Sequence, residues 1–484
     1  MSFHSAAALV TATSPRPLWQ GQLVLVCAIL LSCFAGIYSR PIGYLAAFWP
    51  ASAVALGLLL RYPRWARAPS TWALALAAFV VPDAITGSRW ELTLGLNVAN
   101  VIGIACAWAY LSRLTSDVLY LKHQRSVLHL FVGCMLGALG CTLSGAPIAA
   151  WVFELPLWRS LAMWLSTEFY SFILIVPVFL AAPRAWIRQW PALWRKTQTG
   201  TWKDLLPLAA LLLSEAVTMM IGGPGALGFV MPAMVWCAMA YGVFPITVLS
   251  LLISYWKTAT IAMGVFSFTP DHVLEVLSFR TGMAMLSLAP LAVASAYAMR
   301  LQALHKLHHA VNHDYLTGAL ARRALMERGN RVLSRMKITA SPMAVLMLDL
   351  DHFKQINDKY GHAHGDLVLQ RFVEIAHQSL RPDDLLGRMG GEEFALVLPR
   401  ASRDQALGIG QRLCEQMRNH PFVLENGSVM HATVSVGMHA VQQPLPGDTL
   451  EQFISQADAA LYLAKTSGRN QVRQYGPSMA PSSL

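Results

Sequence analysis

The chain has 484 residues, of which 55% are hydrophobic and only 13% charged, and it carries a formal net charge of +11. With a mean hydropathy of +0.45, it cannot be an ordinary water-soluble enzyme, whose charged share is about a quarter. Residues 1–300 hold 18 Lys/Arg against 9 Asp/Glu and residues 301–484 hold 19 against 17, so an apolar part with basic punctuation precedes a part of mixed charge.

Ten apolar runs lie near residues 20–39, 43–60, 70–86, 92–112, 127–153, 160–183, 205–222, 225–243, 245–267 and 277–299. A bilayer needs about 20 such residues. Several runs abut, so eight to ten transmembrane helices are expected. Basic loops fall after the second run (Arg61, Arg64, Arg67), the fourth (Arg113, Lys122, Arg125) and the sixth (Arg184, Arg188, Arg195, Lys196, Lys203). They alternate with weakly charged loops, which places the N-terminus and residue 300 onward on the cytoplasmic side. The arginines belong to this pattern, so no nucleic-acid partner is expected. Six of seven cysteines lie in apolar runs without metal-like spacing, and packing is their expected role.

Charged side chains inside membrane runs are costly and mark candidate sites. Asp83, Glu168, Glu215 and Lys257 qualify, with Asn97 and Asn100 as polar companions. Either they form a ligand pocket or ion path, or they hold the bundle together; the sequence alone does not pair them. Trp49-Pro50-Ala51-Ser52 opens the second run. In this Trp-Pro opening, and in its position before a signalling domain, the region 15–300 resembles the MASE1 family of bacterial membrane sensor domains. The resemblance implies an unknown sensory ligand.

The junction, residues 298–314, contains no Gly, Pro or Ser run that would make it flexible. Leu304, Leu307 and Val311 fall at helical spacing, so the last membrane helix is expected to continue as a rigid rod, with a short coiled coil as a further option. His305, His308, His309 and His313 read as a solvated helix face.

From Asp314 the periodicity alternates between helix and strand. Helices are expected over Leu316–Val332 and near 365–379, 402–418 and 450–466, with strands at Met343–Asp349, Phe394–Leu398 and Thr433–His439. This pattern suits a two-layer or three-layer α/β domain. There is no P-loop pattern. Alternation along the first strand sends Asp349 and Asp351 to one face. If that strand neighbours the Gly390-Gly391 turn, Asp349 converges with Glu392 or Glu393 on an oxygen-ligand Mg²⁺ site.

The segments Asp314-Tyr-Leu-Thr317-Gly318, Phe353-Lys354-Gln355-Ile356-Asn357 through Gly365-Asp366, Arg388-Met389-Gly390-Gly391-Glu392-Glu393-Phe394 and Ala464-Lys465 through Arg469-Asn470 together resemble the GGDEF family. The match spans residues 314–476, leaving 477–484 as a flexible tail. It implies a palm-like nucleotidyl cyclase fold and diguanylate cyclase activity, in which two GTP condense to cyclic di-GMP and two pyrophosphates. The fold class is thus a polytopic α-helical membrane domain followed by an α/β GGDEF domain.

By the same resemblance, Asp349, Glu392 and Glu393 with the Leu350 carbonyl bind two Mg²⁺ or Mn²⁺ ions, and Glu393 assists deprotonation of the 3′-hydroxyl. Asn357 and Asp366 read guanine, Lys354, Lys465 and Arg469 meet phosphate, and Phe353 and His362 shape the substrate loop. Arg381-Pro382-Asp383-Asp384 matches the family's inhibitory site, in which Arg381, Asp384 and Arg388 bind the product. One domain holds one GTP, so a homodimer is implied. Ala321-Arg322 departs from the usual Asn-Arg, and Glu392 stands where the signature has Asp. The implied protein is multi-pass in the bacterial inner membrane with its catalytic domain in the cytoplasm. A non-catalytic receptor for GTP or cyclic di-GMP is the alternative, and solute transport by the membrane half stays open.

Overall fold

The computed structural model describes residues 17–38, 48–87, 89–123, 125–183, 202–222, 224–262, 273–423 and 428–476. The chain divides into two compact units, Met1–Gln302 and Ala303–Leu484. Arg184, Arg188, Arg195 and Lys196, the tail 477–484 and the side chains of His305, His308 and His309 lie outside the described residues.

The first unit is helical: α1 (Leu18–Tyr38), α2 (Ala51–Arg61), α3 (Pro69–Ile85), α4 (Trp90–Leu111), α5 (Ser126–Val152), α6 (Leu157–Ala181), α7 (Leu206–Ile221), α8 (Met231–Tyr241) and α9 (Val243–Ala262). A tenth helix, α10, runs unbroken over Val273–Asn312 despite an internal Pro290. Among the described residues, seven helices are long and apolar enough to cross a membrane, and Ala51–Arg61, Pro69–Ile85 and Gly225–Tyr241 are shorter apolar helices. Every expected run therefore contains a helix. Close packing between α4 and α5 rests on small residues. A Cβ on Gly103 would come within 2.0 Å of the Cys141 sulfur and 2.6 Å of the Gly137 carbonyl, so glycine there lets the backbones approach.

The second unit is a six-stranded sheet in the order β1-β3-β4-β2-β7-β8. Its strands are β1 (Leu320–Ala321), β2 (Met343–Leu350), β3 (Leu385–Gly390), β4 (Glu393–Pro399), β7 (Val434–Val441) and β8 (Val472–Gln474), while β5 (Phe422–Val423) and β6 (Val429–Met430) form a separate ribbon. The helices are α11 (Arg322–Thr339), α12 (Phe353–Tyr360), α13 (His362–Ser379), α14 (Arg403–Asn419) and α15 (Leu450–Thr466). β2 pairs antiparallel with β4 and β7, so it is central. All eight of its residues are buried, which explains its continuous apolar run.

Alternation along β2 divides the core. Ala344, Leu346, Leu348 and Leu350 join Phe372, Leu413 and other residues of α13 and α14. Met343, Val345 and Met347 join Leu325, Ala457 and Leu461 of α11 and α15. Helices therefore cover both faces, and the three-layer arrangement is the one observed. One contact fixes α15 against the sheet. A Cβ on Gly437 of β7 would lie 2.1 Å from the Ala457 carbonyl oxygen and 2.1 Å from the Leu461 nitrogen. Helix backbone presses directly on strand backbone here, and only glycine permits it.

Candidate active site

The strand register brings the acidic motifs together. Asp349, the penultimate residue of β2, stands opposite Glu393, the first residue of β4. The β3–β4 connection turns through Gly390 and Gly391, the latter at φ +53°, a left-handed conformation that favours glycine. The Leu350 amide donates to the Glu392 carbonyl at 3.4 Å. Asp349, Leu350, Glu392 and Glu393 thus share one end of the sheet.

The Lys465 Nζ lies 2.7 Å from the Asp349 Oδ2. Lys465 occupies the last turn of α15, one helical turn beyond Leu461, so the Gly437 contact sets its reach. Burial raises the Asp349 carboxyl above its ordinary value, Lys465 works against this, and Glu392 and Glu393 add to the rise. Three carboxylates in electrostatic reach suit a hard cation. Among the described residues, no three His, Cys, Asp or Glu side chains already form a cage. Asp351 serves differently: its carboxylate accepts from Thr433 and Ser435 at 2.7 Å each and from the Asn470 amide at 3.1 Å. It ties the loop after α15 to the end of β2.

The expected guanine readers meet at the α12–α13 corner. Gly361, at φ +84°, separates the two helices. Gly365 is buried, and the Asn357 Oδ1 lies 1.9 Å from where its Cβ would sit. The missing side chain therefore makes room for the Asn357 amide, and Asp366 is exposed next to it. Phe353 is 8% exposed and packs in the core with its ring under Gly365. It supports the corner from beneath, because an apolar ring at the first helical position turns inward. His362 is exposed, whereas the His364 Nδ1 lies 2.7 Å from the Tyr360 carbonyl; the loop-holding contact expected of His362 falls to His364. Lys354 is exposed in the first turn of α12. Arg469 is exposed at φ +62°, its amide donating to the Ala464 carbonyl at 3.0 Å.

Arg381 and Asp384 close a tight turn before β3: the Arg381 amide donates to the Asp384 Oδ2 at 2.8 Å. The Arg381 side chain is exposed. Arg388 does not join them. Its Nη1 donates to the Asp314 Oδ1 at 2.9 Å and its Nε to the Gly391 carbonyl at 2.8 Å. An inward arginine on β3 finds this nearby carboxylate and turn carbonyl, so it braces the Gly390-Gly391 turn. The sequence carried Asp314 only as part of a motif, and nothing in it pointed to Arg388 as the partner.

In the first unit, three of the four singled-out charges find polar partners. Lys257 and Glu215 form a buried pair at 2.9 Å, and the Asn97 amide donates to Asp83 at 2.9 Å and to the Thr93 carbonyl at 2.7 Å. Glu168 is buried and has no basic side chain within ion-pair distance among the described residues. Arg280 of α10, missed in the sequence because it sits in an apolar run, is buried and donates to the Thr167 hydroxyl at 2.6 Å.

Residues 311–471, which lie within the second unit, match the family described as "Diguanylate cyclase, GGDEF domain". The whole chain is similar to the "Probable diguanylate cyclase DgcF" of Escherichia coli O157:H7, 28% identical over 94% of each chain. The "Response regulator PleD" of Caulobacter vibrioides is 37% identical over 35% of this chain and 37% of its own. Among solved structures, the coiled coil and GGDEF domain of DgcB from Caulobacter crescentus, in complex with c-di-GMP, is 27% identical, with a TM-score of 0.36 over 38% of this chain and 97% of that one.

Proposed function

We propose that this protein is a membrane-bound diguanylate cyclase. The observation that carries the reading is the β2–β4 register, which sets Asp349 opposite Glu393 beside the Gly390-Gly391 turn. Asp349, Glu392 and the Leu350 carbonyl are the residues that would hold two Mg²⁺ or Mn²⁺ ions. Bound there, the metals offset triphosphate charge and assist in-line attack. Glu393 takes the proton from the attacking 3′-hydroxyl. The 3′-oxygen bonds to the α-phosphorus as its bond to pyrophosphate breaks. Asn357 offers donor and acceptor together to guanine, and Asp366 accepts from its N–H groups. Lys354, Lys465 and Arg469 meet the phosphates.

Each domain presents one GTP, so the cyclic product requires two chains face to face. Leu301, Leu304, Leu307 and Val311 leave an apolar stripe on α10 at least half exposed in the single chain, which supports a helix-to-helix homodimer. Arg381 and Asp384 form the product-inhibition site, without Arg388. The first unit is a MASE1-like sensor in the bacterial inner membrane, and the likeness to the Escherichia coli relative over 94% of the chain supports one architecture for both units.

The test uses the full chain in lipid nanodiscs with GTP and Mg²⁺. Cyclic di-GMP and pyrophosphate should accumulate at a ratio of one to two. Asp349→Asn and Glu393→Gln should each lower kcat by about 100-fold or more. A verified dimer that binds GTP without consuming it would instead establish a receptor.

A further inference from the structure

We infer that Lys465 is an internal stand-in for the metal ion at Asp349, released to the triphosphate when the cation arrives. The inference rests on the cyclase reading of the site, and it adds a competition between a side chain and the metal.

The argument starts from geometry. The Asp349 side chain is 10% exposed, and that of Lys465, whose ammonium lies 2.7 Å away, is 32% exposed. A buried carboxylate facing two further acids is costly unless a cation compensates it. Lys465 supplies that compensation in the protein alone. A metal ion bound to the same oxygen supplies it more strongly, and a Lys ammonium and a dication repel at such range. Lys465 must then withdraw, and the Lys side chain has the flexible stem to do so. Its partly exposed position leaves room toward solvent, where triphosphate oxygens offer a new anionic partner. The lysine therefore opposes metal binding before nucleotide arrives and favours nucleotide once metal is bound. A site built this way holds metal and nucleotide together better than metal alone.

The sign of this effect separates it from a plain phosphate contact. Mn²⁺ binding to the full chain in nanodiscs, without nucleotide, can be followed by electron paramagnetic resonance. Lys465→Met should tighten Mn²⁺ about two- to fivefold, the size of a partly exposed ion pair. With Mn²⁺ saturating, the same variant should bind unreactive 3′-deoxy-GTP about tenfold more weakly. Unchanged or weaker Mn²⁺ binding in Lys465→Met overturns the inference. A second measurement needs no variant: amine acetylation of Lys465 in the native chain, read by mass spectrometry. Labelling should rise when Mn²⁺ is added and fall again when 3′-deoxy-GTP follows. Labelling indifferent to Mn²⁺ also overturns it. Neither readout depends on turnover. A chain that makes no cyclic di-GMP yet shows both responses refutes the cyclase reading alone. One that turns over GTP without them refutes only the stand-in role.

Discussion

Asp314 shows how one carboxylate can hold a turn from outside it. Its Oδ1 accepts from the Thr317 amide at 2.9 Å, the Thr317 hydroxyl at 2.7 Å and the Arg388 Nη1 at 2.9 Å. Burial works to raise its pKa, but hydrogen bonds from Thr317 and Arg388 prevail and hold it below the usual carboxylate range. A carboxyl whose folded pKa is depressed adds stability above its unfolded value, about 3.9, and loses it as pH falls through the folded one. Asp314→Asn should therefore destabilise the second unit of the full chain at pH 7 by roughly 2 kcal/mol. The gap to the native chain should narrow below about pH 4. Calorimetry at pH 7 and pH 3.5 checks this; a gap independent of pH would mean that the charge of Asp314 contributes nothing. Because Arg388 also holds the Gly391 carbonyl, the variant should loosen the Gly390-Gly391 turn as well.

At the scale of elements, α15 depends on a residue it does not contain. Gly437→Val would drive a side chain into the Ala457 carbonyl and the Leu461 nitrogen, groups of backbone that cannot rotate away. The helix must shift, at about 3 kcal/mol or more, and Lys465 shifts with it. Gly408→Ala is the contrast: its Cβ meets only the Arg412 Nη1 at 3.7 Å, and on α14 it should stabilise by about 0.5–1 kcal/mol. Denaturation midpoints should move in opposite directions, and only Gly437→Val should lower the proposed cyclase activity. Such effects mark the edge of what the sequence conveys. β2 was legible because a central strand must be apolar on both faces, and α15 because its periodicity is unbroken and capped by Thr449 and Gln452. The helix expected from Leu316 begins only at Arg322, since Asp314 and Thr317 close a local turn that competes with helix. The helix α12 is too short, at eight residues, to show a period, and β3 is broken by its own glycines. The acidic cluster was predictable from two motifs and strand alternation. The Lys465–Asp349 pair was not, because it needs two elements far apart in sequence brought together by a glycine on a third.

At the scale of the molecule, the helix α10 is the feature to explain. It spans 40 residues, about 60 Å at 1.5 Å per residue, and the boundary between the two units falls within it. One end carries buried Arg280, held to Thr167 of α6, and the other carries the exposed apolar stripe that ends at Val311. A continuous helix transmits rotation as well as translation, and the reaction proposed here needs two GTP sites presented in one mutual orientation. Phase along α10 should therefore govern output. Two residues inserted after Leu304 rotate everything beyond them by about 200°, which turns the stripe of one partner away from the other. Seven residues return it to within about 20° of its original phase while lengthening the rod. Cyclic di-GMP formation in nanodiscs should change on the order of tenfold with the two-residue insertion, a typical coupling energy, and return toward the native rate with seven. Equal rates for both insertions would mean that the helix is only a tether and that dimer geometry is set within the second units. A rate that falls with both would point to length, not phase, as the transmitted quantity.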